Sequence, residues 1–519
     1  MPKKYQWIIL LAASYVFYAW SGIKYLAYLL FTTVTTYLFA RWIQSVSDGF
    51  KNELSLLREK CGDDRKSLSS GKSELKKHCT KKKRKILAAG IVINFLVLAV
   101  VKYSPLFLMS FNHLFSALNV NTELDFLRIA LPMGLSFYIF QSVGYMIDVY
   151  RGKVEADRNI FHYALFVSYF PQIIQGPIGR YNKLAGQFFE PHSFDYTRVK
   201  FGLQRMVWGF FKKLVIADRI SIITSEVFGN YAAAGYGGFI TFSAALLYGV
   251  QIYADFSGGM DLVCGVSQIF GIELAENFKR PYFAKSVSEF WQRWHITLGT
   301  WMKDYLFYPL ALSKPFGRMS KKLRKLGSPY AAKVLPTCLA SFIVFIIVGL
   351  WHGASWGYVA YGLYQAVFVS TATLFEPFYR KCRGFFKVKA ERFSFRLFQM
   401  LRTLFIITIG RFLSATGSLM QASDLLKATF SQWNPWVLFD DTFYNLCSNC
   451  RNFYLILFTI AVLFLVDLLH EKGCHLRETI ARQGIVFRWT LYIVGILSIF
   501  IFGIYGPGYD AAKFIYQGF

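Results

Sequence analysis

The sequence predicts an all-α integral membrane protein of roughly ten to eleven transmembrane helices, with re-entrant and amphipathic segments between them. Three observations carry that expectation. Of the 519 residues, 55% are hydrophobic and only 17% charged, where an average soluble domain has about 25% charged. Apolar runs of about 20 residues, the length that crosses a bilayer, recur along the whole chain. The formal charge of +28 is gathered in the loops between those runs, at 72–85, 318–333 and 380–396. Lys and Arg concentrated this way hold loops on the cytoplasmic side. That distribution argues for the lipid bilayer as partner and against nucleic acid, the partner such a charge first suggests.

Taken in order, 7–20 and 25–42 form a hairpin of two spans turning at Ser21-Gly22. The first reads as a retained span, since no small-residue cleavage site follows it. Residues 48–85 are polar and basic and read as a cytoplasmic loop, partly disordered by composition. A span begins at 86–101. Another covers 126–150, interrupted by Pro132 and Gly134. The run 161–178 ends in Gln172, Gln175, Gly176 and Pro177. Such an end reads as re-entrant, because broken backbone at membrane depth persists only inside protein or beside a wet cavity. The stretch 203–228 carries Lys212, Lys213, Asp218 and Arg219 and is expected to lie partly in the interface. A span follows at 239–256. Residues 335–350 and 356–375 form a second hairpin, with Trp351-His352-Gly353 at its tip and basic flanks at its other end. Spans at 402–413, 453–469 and 487–504 complete the chain. The whole reads as a single polytopic domain, with a core at 130–365 and C-terminal helices in 398–519. No internal repeat is visible, which weighs against a transporter or flippase.

The eight cysteines imply no disulfide framework. Cys447-Ser-Asn-Cys450 is a lone pair without the further ligands that a zinc site needs, so no metal is expected. Two of the eight histidines stand out. His352 follows an apolar span, and an ionisable group at that depth is by default a functional candidate. Histidine suits proton transfer. It equally suits capping a helix end before Gly353, and spacing alone leaves both readings open. His295 lies in Glu289-Phe-Trp-Gln-Arg-Trp-His-Ile-Thr-Leu298. A continuous helix there would put Trp291, His295, Leu298 and Met302 on one face and pair Glu289 with Arg293. The spacing by itself favours an aromatic-packed structural histidine.

Five blocks, in order, resemble the membrane-bound O-acyltransferase superfamily, in its bacterial branch of alginate O-acetyltransferases and teichoic-acid D-alanyl transfer proteins. They are Leu131-Pro-Met-Gly-Leu-Ser-Phe-Tyr138 with Asp148-Val-Tyr-Arg-Gly152, Phe170-Pro-Gln-Ile-Ile-Gln-Gly-Pro-Ile-Gly-Arg-Tyr181, and Gln251-Ile-Tyr-Ala-Asp-Phe-Ser-Gly258 with Glu276-Asn-Phe. The last two are Glu289 to Leu298 with Asp304, and Leu350-Trp-His-Gly-Ala-Ser-Trp356. The resemblance implies His352 as the catalytic histidine and His295 as a second functional one. It also implies helices around a central tunnel, for which Trp291, Arg293, Trp294, Asp304, Trp351, Gln175 and Asp255 are candidate lining residues. The implied function is O-acyl transfer, with acetyl favoured, at a bacterial plasma membrane. The donor is a cytoplasmic thioester, acetyl-CoA or an acyl carrier protein, with no bound cofactor. The acceptor is a cell-surface polysaccharide, reached through an extracytoplasmic partner of the SGNH-hydrolase type. D-alanyl transfer to teichoic acid is the alternative within the family. The segment Leu310-Ala-Leu-Ser-Lys314 and Ser414 depart from the branch's pattern, as does the end at 514–519.

Overall fold

The computed structural model describes residues 3–118, 132–506 and 509. The expected beginning of the 126–150 span and the terminus at 514–519 lie outside the described residues. Among these, every regular element is helical, and the sole β-type pairing is an isolated antiparallel bridge between Phe278 and Trp294. Among the described residues, seven helices are long and apolar enough to cross a membrane: Ile23–Cys61, Arg65–Ser104, Gly238–Ile269, Pro329–His352, Phe393–Thr416, Cys450–Glu471 and Ile485–Phe502. Of the further spans expected from hydropathy, two fold as shorter helices, and 356–375 folds as the 19-residue helix Trp356–Leu374. Gln6–Trp20 and Leu135–Tyr150 have 15 and 16 residues. At 1.5 Å per residue these reach about 22–24 Å, short of the roughly 30 Å hydrocarbon core.

Where the sequence reads as one domain, the chain forms two compact units. The first is Met1–Asp195 with Phe270–Leu274, and the second is Tyr196–Ile269 with Ala275–Phe519. In the first unit, Gln6–Trp20 turns at Ser21-Gly22 into Ile23–Cys61, as the apolar pattern predicts. Gly22 sits at φ +135, a conformation only glycine adopts readily.

Residues 48–85 correct the reading as a disordered loop. The span helix continues to Cys61, and a second long helix starts at Arg65. Lys, Arg, Glu and Leu are strong helix formers, so a polar run rich in them extends a helix already nucleated in the membrane.

The 161–178 segment is a broken helix. The helix Ile160–Ser168 is only nine residues long, Tyr169 breaks it, and a single turn Phe170–Ile173 follows. The freed polar groups are taken up inside. Gln172 Nε2 donates to Gln141 Oε1 at 2.7 Å and to the Pro177 carbonyl at 2.6 Å.

The second unit is built on Gly238–Ile269, with Tyr196–Phe210 packed along it. That contact is close because it is lined with glycine. A Cβ on Gly209 would meet the Gly258 carbonyl at 2.7 Å, and one on Gly265 would meet the Gly202 carbonyl at 2.7 Å. Small residues are how membrane helices approach without a hydrophobic drive between them.

Two lysines of the stretch expected to lie partly in the interface are buried within the protein. Lys212 and Lys213 lie in a π-helical segment, Phe211–Ala217, and are 4% and 3% exposed. Lys213 pairs with Asp218 at 2.9 Å and Asp255 at 2.7 Å, and Lys212 with Asp261 at 2.7 Å. Arg205 joins Asp261 and Glu276, both at 2.8 Å. Apart from Asp218, these partners lie outside 203–228, so inspection of that stretch alone could not reveal how fully its charges are neutralised.

Candidate functional site

Two structures in the second unit carry the histidines. The first is a strained loop between residues 275 and 302. Asn277 to Arg280 runs antiparallel to Arg293 to Ile296. Lys279 N donates to the Arg293 carbonyl at 2.9 Å, and Ile296 N to the Asn277 carbonyl at 3.0 Å. Arg280 and His295 both have φ +46. The left-handed region costs a non-glycine residue roughly 1–2 kcal/mol, so the surroundings must over-determine it.

They do so from two sides. Trp294 stacks on Phe290, centroids 5.5 Å apart, and meets Phe278 edge-on at 5.0 Å. On the polar side, Arg293 Nη2 pairs with Glu289 at 2.8 Å and Nη1 with Glu471 at 3.0 Å, while Arg280 Nε reaches Glu471 at 2.6 Å. Ser286 caps Val287–Arg293 by accepting from Glu289 N, and Glu289 Oε2 accepts from Lys285 N. This is a variant of the reciprocal Ser-x-x-Glu cap.

The anticipated Glu289–Arg293 pair is therefore present. The anticipated continuous helix is not. Val287–Arg293 ends, His295 takes its left-handed turn, and Ile296–Met302 begins anew. His295 is thereby taken off the common face with Trp291, Leu298 and Met302. A 3–4 apolar period cannot register one left-handed residue, so the break was invisible in the pattern.

His295 is 2% exposed. Its Nδ1 lies 3.2 Å from Asn277 Oδ1, and Phe256 meets its ring edge-on at 4.8 Å. It sits between two short helices, outside the seven long ones. Burial, with the neighbouring His352 adding to it, pushes the imidazole well below the usual histidine range.

The second structure is the predicted hairpin. Pro329–His352 ends at His352, Gly353 is extended, and Trp356–Leu374 returns. The two helices cross at glycines. A Cβ on Gly349 would lie 2.4 Å from the Tyr358 carbonyl, and one on Gly362 2.3 Å from the Phe345 carbonyl. A Cβ on Gly353 would strike the Tyr358 ring at 2.3 Å. His352, 7% exposed, is thus held at the tip with its ring stacked near Tyr358, 6.4 Å between centroids.

Trp351 joins the two structures. Its indole lies 5.8 Å from the His295 ring and 4.9 Å from that of His352. Residues 57 positions apart are so brought around one side chain. Trp291 closes the same region, donating from Nε1 to Gln365 Oε1 at 3.2 Å. Sequence inspection did not single out Gln365, Asn277 or Arg411. The Arg411 guanidinium stands 5.2 Å over the Trp294 ring, and its Nη1 donates to Tyr361 OH at 3.4 Å.

Of the other sequence-derived candidates, Arg293 and Trp294 support the His295 loop and the rest fall elsewhere. Arg293 is engaged by two carboxylates, and Trp294 is packed in the aromatic support of the loop. Asp255 is 1% exposed and paired with Lys213. Asp304 is half-buried on the π-helical turn Lys303–Phe307. Gln175 belongs to the first unit, where it is buried and its Nε2 has no hydrogen-bond partner among the described residues. Cys447 and Cys450 are free thiols, the first buried and the second exposed.

A helical membrane protein with two histidines around a buried indole is the setting in which its relatives become informative. The chain belongs to the membrane-bound O-acyltransferase family, whose model matches residues 153–416, and it is a multi-pass acyltransferase of bacterial membranes. It is 31% identical to the probable alginate O-acetylase AlgI of Pseudomonas syringae pv. tomato, over 84% of this chain and 72% of that protein. It is 29% identical to the peptidoglycan O-acetyltransferase of Helicobacter pylori, over 72% and 65%. The match to the teichoic acid D-alanyltransferase of Bacillus subtilis is 27%, over 48% and 60%. The chain therefore spans a little under two thirds of the last two relatives.

Proposed function

We propose that this chain is an O-acetyltransferase that moves an acetyl group from a cytoplasmic thioester towards a cell-surface polysaccharide, with His352 as general base. The observation that carries the reading is the gathering of His295, Trp351 and His352 in one buried site. The names of the more similar relatives favour acetyl over D-alanyl.

The chemistry asks little of the protein beyond this. An acceptor hydroxyl is too weak an acid to attack unaided. As its oxygen bonds to the thioester carbonyl carbon, its proton passes to the His352 imidazole. The carbon–sulfur bond then breaks, and the imidazolium returns the proton to the leaving thiolate. Such general-base help is worth about 10²–10⁴ in rate. The glycine crossing beside His352 supplies the fixed geometry this requires. An extracytoplasmic partner of the SGNH-hydrolase class completes delivery to the glycan.

The test is turnover by purified protein in lipid nanodiscs, with acetyl-CoA or a charged carrier protein as donor. His352→Ala should lose at least 10²-fold while remaining folded. Retained turnover sinks the assignment, and turnover with a D-alanyl carrier protein alone moves the chain to the teichoic-acid reading.

A further inference from the structure

We infer that Asn277 is a positioning residue that fixes His295 as the Nδ1–H tautomer, leaving Nε2 as a hydrogen-bond acceptor in the site. The inference rests on the proposed acyl transfer for its purpose but not for its geometry.

The argument begins with the orientation of the Asn277 amide. A side-chain amide has an oxygen that only accepts and a nitrogen that only donates, and the partners decide which is which. Backbone Thr297 N–H points at one end of it, 3.0 Å away. An amide N–H can only donate, so that end must be Oδ1. Thr297 Oγ1 also donates there, at 2.9 Å. The opposite end, Nδ2, faces Met260 Sδ at 3.4 Å, a weak acceptor suited to it. Reversing the amide would set two donors against each other in a site where Asn277 is 2% exposed.

With Oδ1 so fixed, the atom 3.2 Å from it, His295 Nδ1, must carry a proton. A neutral imidazole has one N–H, so Nε2 is then bare. Burial and the adjacent His352 keep His295 neutral. The backbone enforces the same contact. The left-handed turn at His295 and the Ile296 N bond to the Asn277 carbonyl hold the two residues side by side.

The consequence is a division of labour. Neutral His295 cannot donate from Nε2 to an oxyanion. It can accept a hydrogen bond from an acceptor-substrate group other than the hydroxyl whose proton goes to His352. His295 therefore orients the acceptor, and stabilisation of the oxyanion falls to other groups.

The experiment uses the full chain labelled with ¹⁵N-histidine in nanodiscs, read by solid-state NMR. His295 is assigned by difference from His295→Gln. The wild type should show a protonated Nδ1 and an unprotonated Nε2 at neutral pH. A protonated Nε2 overturns the inference, whatever the activity. Asn277→Asp keeps the acceptor and adds charge. It should hold the tautomer, raise the His295 pKa and move the acid limb of the kcat/KM profile to higher pH. An unmoved limb at full turnover counts against it. Asn277→Leu should mix the tautomers and lower kcat by roughly 10²–10⁴; the wild-type spectrum decides if that variant does not fold. If His352→Ala retains turnover while the spectrum is as expected, the catalytic reading fails and the tautomer assignment stands.

Discussion

Replacing Gly362 by alanine should cripple the enzyme without touching either histidine. The added Cβ would lie 2.3 Å from the Phe345 carbonyl oxygen and 3.2 Å from Gly349 Cα. Non-bonded heavy atoms sit comfortably at roughly 3.5 Å, so the two helices must part by about 1 Å at the crossing. Both contacts are backbone atoms of a long helix, which cannot swing aside as a side chain would. Overpacking of this kind costs about 1–3 kcal/mol. The catalytic effect should be larger than the thermal one. Gly349 is three residues before His352 on the same helix, so opening the crossing carries the imidazole with it. A displacement of about 1 Å at a reacting group costs on the order of 10²-fold in rate. The assay pairs turnover on a thioester donor with thermal unfolding in detergent. Gly384→Ala is the control, since a Cβ there meets nothing within 4 Å. Turnover and melting of Gly362→Ala at wild-type values would refute the claim that this crossing positions His352.

The remaining predictions concern charge. Lys213→Met should destabilise the fold by about 3–5 kcal/mol, because Asp218 and Asp255 lose a buried cation. Combining it with Asp255→Leu should recover part of that loss, and a melting curve unchanged by Lys213→Met would contradict the pairing. Arg293→Lys should loosen the histidine loop, since lysine cannot bridge Glu289 and Glu471 with a planar fork. Its expected signature is a fall in kcat larger than the fall in melting temperature. The depressed pKa of His295 makes stability depend on pH. Below about 6.5 the unfolded chain takes up a proton that folded His295 refuses, so stability is lost as pH falls from there towards the folded value. Melting scans between neutral and acid pH should show that loss, and His295→Gln should remove its own share. An identical pH dependence in the two proteins would count against it.

What the sequence made legible follows from periodicity. The hairpin 335–375 and its histidine tip were visible because a long apolar run, a turn and a second run leave a plain trace. The break in the 161–178 stretch was visible because glutamines end an apolar run. Three features left no such trace. The 48–85 helices meet along a thin stripe, with Leu57 against Gly71, in a segment otherwise so polar that composition resembled a loop. Lys212 and Lys213 looked interfacial because Asp255 and Asp261 stand elsewhere in the chain. The turn at His295 depends on a bridge between Phe278 and Trp294, residues that hydropathy treats as two more aromatics. In each case the deciding partner lies beyond the window over which a pattern is read.

The same reasoning explains why the two histidines differ so much in their support. His352 stands at the end of a regular helix, and glycine crossings that admit no side chain fix its place. His295 is held by strain, with a left-handed backbone, an aromatic stack on one side and bridging arginines on the other. A residue kept in a costly conformation by so many contacts is one whose orientation matters, since an unstrained helix would have buried the same ring at lower cost. The Asn277 contact gives that orientation a chemical meaning, because in the inference above it selects which nitrogen carries the proton. In the proposed mechanism a helix-end base and a tautomer-locked acceptor around one indole are complementary parts. There the first moves a proton, and the second holds the molecule that gives it up.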